Sequence, residues 1–286
     1  MYEDMPIAQL WSTLATELTP VLAGYREKIT DLAVEIKSDQ TLLTEADVAV
    51  QQLIVQSIRD MEPDAVIIAE EDARTEDRAD VLRSAGRVWV VDPIDGTAQF
   101  VQPASVEFCS VVCVLENWQP SSAFVLAPEL GSGRVPIAIT AEADTGRISL
   151  NGRPAPTRSA NGSGWISVTR SGGKVTSFDE AAANHGYRLK KKTSSQTLDM
   201  VRTAVDLSAL TEPALPSFDL FWRRDQKVWD GLAGMCLGTA GGLRIVTEED
   251  SAQPLGPELL SMHTPVLKST VMGDPETVSW FLDLVR

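Results

Sequence analysis

The apolar positions of this chain alternate between helical and strand periods. Ile7, Leu10, Trp11, Leu14, Leu18, Val21 and Leu22 recur at helical spacing, which predicts an amphipathic helix from Ile7 to Tyr25. Ala33 to Leu43 reads as a short exposed hairpin or loop, with Lys37, Ser38, Asp39 and Gln40 at its tip. Thr44 is placed to cap a helix running from Glu45 to about Met61. Val66 to Ala69 is a short strand that ends in Glu70-Glu71-Asp72, and polar Thr75 to Ser84 is expected to be partly helical. Val88 to Val91 predicts a buried strand, followed by strands at Phe108 to Leu115, Ala123 to Leu126 and Val135 to Ile139. Asn151-Gly152-Arg153-Pro154 is a strong turn signal.

The second half alternates again. A strand is expected at Trp165 to Thr169 and helices at Ser177 to His185 and Leu198 to Ala204. Trp229 to Thr239 predicts a helix closed by Gly241-Gly242, followed by a strand at Pro265 to Met272 and a helix at Glu276 to Val285. Alternating elements imply a layered α/β protein. The Ser/Asn/Gly-rich stretch Thr157 to Gly164 divides it into expected domains at 1–156 and 157–286.

Composition narrows the partners. Of 286 residues, 43% are hydrophobic, enough for a sizeable core, and the formal net charge is -15. Such acidity disfavours duplex DNA and anionic membranes. Three cysteines without C-x-x-C spacing argue against a disulfide scaffold or a zinc site. The N-terminus has no basic region leading into an apolar run, and no window holds the roughly 18 apolar residues of a membrane span. A cytoplasmic location fits all of this.

The densest chemistry lies in Trp89-Val90-Val91-Asp92-Pro93-Ile94-Asp95-Gly96-Thr97. Asp92 would end a buried strand, at the edge where open α/β sheets place ligands. Pro93 stiffens the turn that brings Asp95 close, and two such carboxylates repel unless a cation lies between them. Gly96 and Thr97 would then open a helix whose free N–H groups suit a phosphate. Asp47, Glu70 with Glu71, and Asp230 also sit at the ends of regular elements. No His or Cys accompanies these acids, so oxygen-only ligation points to a hard cation, Mg2+ first. Taken alone, Asp230 is an ordinary helix cap and Glu70-Glu71 a solvated pair; the joint occurrence is what points to metal-assisted phosphate chemistry. His185 and His263 have no motif partner and are expected to be structural or exposed.

These segments resemble the inositol monophosphatase superfamily of Mg2+-dependent, Li+-sensitive phosphatases. One signature is similar to Trp89 to Phe100, "WVVDPIDGTAQF", and a second to Trp229 to Gly242, "WDGLAGMCLGTAGG". Lys37 to Asp47 and Ala69 to Asp72 complete the set in order. The resemblance implies a layered αβαβα sandwich, usually dimeric, acting on a small phosphorylated metabolite. It implies that Glu70, Asp92, Asp95, Asp230 and the carbonyl of Ile94 bind two or three Mg2+ ions. Glu71 would make an outer contact or hold a water there. Thr97 with Asp47 would orient and deprotonate the attacking water, and Gly96 and Thr97 N–H groups would hold the phosphate. Lys37 and Asp39 would lie on a mobile hairpin near the weakest metal.

Within the superfamily, several details are similar to the 3'(2'),5'-bisphosphate nucleotidase branch: Ala69 before the Glu pair, Glu107-Phe108, Val168-Thr169-Arg170-Ser171 and Ser194-Ser195. Ala98-Gln99 matches neither that branch nor the inositol group, and Asn151 to Pro154 resembles the latter. The position where inositol enzymes place a ring-binding Glu holds Trp222, Arg223 or Arg224. Arg223 and Arg224 are therefore expected to bind a second phosphate, through the match of a guanidinium fork to phosphate oxygens. The alternatives are an inositol-1-monophosphatase, a specialised biosynthetic phosphatase, and a pseudophosphatase that only binds metal.

Overall fold

The structure, a computed structural model, describes residues 7–29, 34–36, 42–72, 79–156, 158, 162–168 and 177–285. It begins with α1 (Ile7–Glu27), β1 (Val34–Ile36), β2 (Leu42–Thr44) and α2 (Glu45–Met61). Next come β3 (Ile67–Ala69), α3 (Ala79–Ser84), β4 (Arg87–Asp95) and α4 (Thr97–Phe100). A run of antiparallel strands follows: β5 (Cys109–Glu116), β6 (Gln119–Gly131), β7 (Val135–Glu142), β8 (Arg147–Leu150) and β9 (Arg153–Pro154). Then the chain alternates through β10 (Trp165–Val168), α5 (Ser177–Asn184), β11 (Arg188–Lys190) and α6 (Gln196–Ala204). It ends with β12 (Leu220–Lys227), α7 (Val228–Ala240), β13 (Arg244–Val246), α8 (Pro257–Leu260), β14 (Val266–Gly273) and α9 (Pro275–Val285).

Two main sheets result. Seven strands run in the order β3-β4-β5-β6-β7-β8-β9, and five in the order β11-β10-β12-β14-β13. Strand alternation explains the layering, because successive side chains point to opposite faces. On one face of the larger sheet, Trp89, Val91, Val112 and Val114 pack against Leu14 and Leu18 of α1 and Val50 and Ile54 of α2. On its other face, Val90, Val111 and Cys113 meet Leu198 and Val201 of α6 and Leu232 and Cys236 of α7. The same core reaches Phe221 and Met272 of the smaller sheet. That sheet's far face, with Leu220 and Val271, is covered by Phe178 of α5 and Phe281 of α9. The order of layers is helix, sheet, helix, sheet, helix, as expected from the αβαβα resemblance. Cys109, Cys113 and Cys236 are buried free thiols. Among the described residues no helix is long and apolar enough to cross a membrane.

Several elements differ from the sequence reading. The strand at Ala123 to Leu126 extends to Gln119–Gly131, and only Ala79–Ser84 of the polar stretch Thr75 to Ser84 is described as helix. The sequence pattern does not predict β11, β12 or β13. In β12 the polar run Arg223 to Lys227 hides a strand that pairs in parallel with β10 and antiparallel with β14. Arg224 and Asp225 are exposed in this run, so main-chain pairing with β14 rather than an apolar pattern decides the element.

Candidate active site

β4 carries an apolar run in through the core and ends on acid. Its ladder to β5 is regular from Arg87 to Asp92 and shifts register between Asp92 and Asp95. The irregularity lies over Pro93, which has no N–H to give a ladder. Ser110 instead donates to the Pro93 carbonyl at 2.6 Å. Gly96 then adopts φ 91° and opens α4, which is only four residues long. A side chain at Gly96 would meet the Ser194 carbonyl at 3.1 Å and the Glu107 carbonyl at 3.2 Å, so conformation and space both require glycine. Arg26 holds the far end of α4 by donating to the carbonyls of Phe100, Gln102, Pro103 and Ser105 and pairing with Glu129.

Asp92 and Asp95 from β4 converge with Asp230 from the first turn of α7. Oxygen atoms of the three lie within 4.8 Å of one another. Glu70 joins them in lining a cavity of about 520 Å³, with its N–H pinned to the Val91 carbonyl at 3.1 Å. The Asp92 Oδ1 atom is buried without a hydrogen-bond partner. Burial first, and then the charges of Glu70, Asp95 and Asp230, push the Asp92 carboxyl well above its ordinary range. Asp230 is raised in the same way, by burial and by Asp95 and Glu70, with Lys227 opposing. Asp95 is raised by burial, and hydrogen bonds from Ser195 and Thr197 offset part of that rise. Buried carboxylates that repel each other, with an orphaned oxygen among them, are a donor set that a hard divalent cation satisfies. The chemistry of the cluster therefore fits Mg2+.

A second acidic group stands behind the first. Asp47 is fully buried at the start of α2, and its Oδ2 accepts the Thr44 N–H at 2.8 Å and the Thr44 hydroxyl at 2.6 Å. Thr44 is thus the cap that the sequence suggests, with Asp47 reaching back to it. The other oxygen faces Thr97, whose hydroxyl lies 3.3 Å from Asp47 Oδ1 and 3.1 Å from the Ile94 carbonyl. Thr97, Ile94 and Gly96 all line the cavity. Glu71 does not; its N–H donates to Gln51 of α2 at 2.9 Å, which fixes the acidic turn.

The two arginines part company. Arg223 lines the cavity, and its Nε is buried without a partner. Burial lowers its pKa, against the pull of Asp230, Asp95 and Asp199. Arg224 corrects the expectation that both reach the pocket. It faces the opposite side of β12, where it pairs with Glu248 at 2.7 and 2.8 Å, because neighbouring strand positions point to opposite faces. Lys37, Asp39 and Thr169 to Ser171 lie outside the described residues.

The sequence marks Ser194-Ser195 only as a branch resemblance and does not reveal that this segment frames the acids from the other sheet. Ser195 caps α6, accepting from the Leu198 N–H at 3.0 Å and donating to Asp95 Oδ2 at 2.7 Å. The Thr197 N–H also reaches Asp95 Oδ2, at 2.7 Å. Gln196 donates its side-chain amide to Asp230 Oδ2 at 2.5 Å, and its Oε1 is left buried and unpartnered. A Ser ahead of an apolar helical run is the one local signal that marks this place.

A profile of the inositol monophosphatase family matches residues 4–271. Among curated proteins, a histidinol-phosphatase of Mycobacterium tuberculosis is 36% identical over 130 residues, 45% of each chain. A 3'(2'),5'-bisphosphate nucleotidase CysQ of Salmonella typhimurium is 33% identical over 94 residues, 33% of this chain and 37% of that one. The matched region thus spans less than half of either relative. Among solved structures, a Thermotoga maritima IMPase superposes with a TM-score of 0.73 at 19% identity, covering 98% of this chain and 97% of that one. A staphylococcal inositol monophosphatase-1 soaked with LiCl gives 0.73 at 18% identity, covering 99% and 97%.

Proposed function

The chain belongs to the inositol monophosphatase family, and on that premise we propose that it is a Mg2+-dependent phosphomonoesterase acting on a small phosphorylated metabolite. The observation that carries this reading is the meeting of Asp92, Asp95 and Asp230 beside the Asp47–Thr97 pair. Glu70, Asp92, Asp95, Asp230 and the Ile94 carbonyl would hold two or three Mg2+ ions. Bound there, Mg2+ supplies Lewis acidity to the attacking water and to the leaving oxygen. The protein's own part is positioning and proton transfer. Thr97 orients the water and passes its proton toward Asp47, whose second oxygen is already occupied by Thr44. The N–H groups of Gly96 and Thr97 hold the phosphate, and Glu71 supports the acidic turn from behind.

For the substrate, a nucleoside 3',5'-bisphosphate is favoured over inositol 1-phosphate or histidinol phosphate. Arg223 brings a guanidinium with an unsatisfied donor into the same cavity, where Lys192 and Lys227 add positive charge. A second phosphate pairs with that cationic guanidinium, whereas a neutral polyol gains less from it and an ammonium group is repelled. The name of the Salmonella relative points the same way. Arg223→Ala is expected to lower kcat/KM for adenosine 3',5'-bisphosphate roughly tenfold to a hundredfold, the usual worth of a hydrogen bond to a charged group. It should leave glycerol 2-phosphate turnover nearly unchanged, and Arg224→Ala should affect neither. A side-by-side kcat/KM comparison checks this. Better turnover of inositol 1-phosphate or histidinol phosphate by the parent enzyme would assign the pocket to those leaving groups instead.

A further inference from the structure

Next to the acidic cavity lies a network of buried and half-buried charges that the proposed reaction does not use. The Lys190 ammonium, at the end of β11, contacts Asp199 Oδ1 at 2.6 Å, Glu107 Oε2 at 2.9 Å and the Ser194 hydroxyl at 3.3 Å. Ser194 in turn donates to Glu107 Oε2 at 2.7 Å. Asp199, on α6, accepts from Ser167 of β10 at 2.7 Å. Arg202 lies 3.6 Å from Glu107 and 3.8 Å from Asp199, and is held by the Pro216 carbonyl and the Phe218 ring. Two cations and two anions therefore balance in a place where an odd charge is costly. Although burial works against it, Lys190 and Ser194 keep the Glu107 carboxyl below its ordinary range.

The location of this network gives it a consequence for the cavity. Glu107 belongs to the link between α4 and β5, on the side of the larger sheet, whereas Lys190, Ser194 and Asp199 come from the smaller sheet and its helix. Asp92 and Asp95 come from the first group and Asp230 from the second, so the acidic cluster forms only when the two groups are held in register. The segment that spans the joint is Ser194 to Thr197. Its Ser195 and Thr197 bind Asp95, and its Gln196 and Thr197 bind Asp230 through the side chain and the main-chain carbonyl. Ser194, the residue at its head, is tied to Glu107 and Lys190. Its carbonyl also closes over Gly96.

We propose that Glu107 and Lys190 are positioning residues that act through Ser194 to set the spacing of Asp95 and Asp230, and so the cation affinity of the site. This rests on the metal-site reading above. Groups behind a metal-binding carboxylate commonly change affinity by about 10- to 100-fold when removed. Glu107 and Lys190, which do not line the cavity, should do the same through Ser194, which does.

The test is calorimetric titration of the full chain with Mg2+, together with thermal unfolding in chelator. The variants are Glu107→Gln, Lys190→Met and Ser194→Ala, with Asp92→Asn as the null for binding. Arg158→Ala serves as a structural control, since Arg158 makes a half-buried anchor to Asp274 and the Phe218 carbonyl. The three network variants are expected to weaken Mg2+ binding roughly tenfold or more, while Arg158→Ala loses stability with affinity unchanged. Ser194→Ala removes a hydroxyl and leaves the buried charges paired, so it reads the link even if a charge variant fails to fold. Network variants that bind Mg2+ within about twofold of the parent would overturn the inference. A parent that binds no Mg2+, like Asp92→Asn, would overturn the metal-site reading itself.

Discussion

Asp92→Asn is expected to abolish hydrolysis and, in chelator, to make the protein more stable. Both effects follow from one arrangement. Asp92 is buried, its Oδ1 has no partner, and Glu70, Asp95 and Asp230 face it. Removing its charge relieves repulsion in the metal-free protein, so the thermal midpoint should rise. On the proposed reading it also removes a Mg2+ ligand, so turnover should fall by a factor on the order of 10³ or more, given the several kcal/mol a catalytic metal supplies. Added Mg2+ should raise the midpoint of the parent and leave that of the variant nearly fixed. The same repulsion has a pH signature. Unfolded, Asp92, Asp95 and Asp230 titrate at about 3.9; folded, burial raises all three, and neighbouring carboxylates raise Asp92 and Asp230 further. The folded apoprotein therefore holds their protons more tightly than the unfolded chain. Stability from this source is full below about pH 4 and is lost as pH rises through the raised folded values. Thermal scans across pH, with chelator and with Mg2+, should show this slope only in chelator. A variant that hydrolyses normally, or one destabilised in chelator, would contradict the assignment.

Thr97→Ala should lower kcat by roughly 10²-fold or more, about 2.7 kcal/mol, with a smaller change in KM. The Thr97 hydroxyl, which lines the cavity, donates to Asp47 Oδ1 at 3.3 Å. Asp47 itself is sealed from solvent, so its carboxylate reaches a water in the cavity through Thr97. On the proposed reading the phosphate is held by the Gly96 and Thr97 N–H groups, which the substitution leaves in place. Thr97→Ser should recover much of the activity, because it keeps the hydroxyl. A large KM effect with unchanged kcat would make Thr97 a binding residue alone.

The sequence reveals the part of the site that is local. Asp92, Asp95, Gly96 and Thr97 fall within one strand, one irregularity and one turn, and residue type dictates each. Thr44 and Asp47 are legible for the same reason, as the cap and first turn of a helix. The seam between the sheets is not. Glu107 and Lys190 are 83 positions apart, and no periodicity brings them together. Arg223 and Arg224 were adjacent in sequence and equally basic; only the alternation of a strand hidden by its polar residues sends one to the cavity and the other to Glu248. In β12, Asp225 adopts φ 50°, which further obscures the pattern. Gln196 gave no signal beyond its place in a helix start, since its role depends on an aspartate from another helix.

The most direct test of this account is phosphate release from adenosine 3',5'-bisphosphate as a function of free Mg2+, measured on the parent chain with an excess-chelator arm. The account predicts no release in chelator, saturable release with Mg2+, and loss of that release in Asp92→Asn. Release at full rate in chelator would contradict it, and so would the absence of release from every small phosphomonoester at saturating Mg2+.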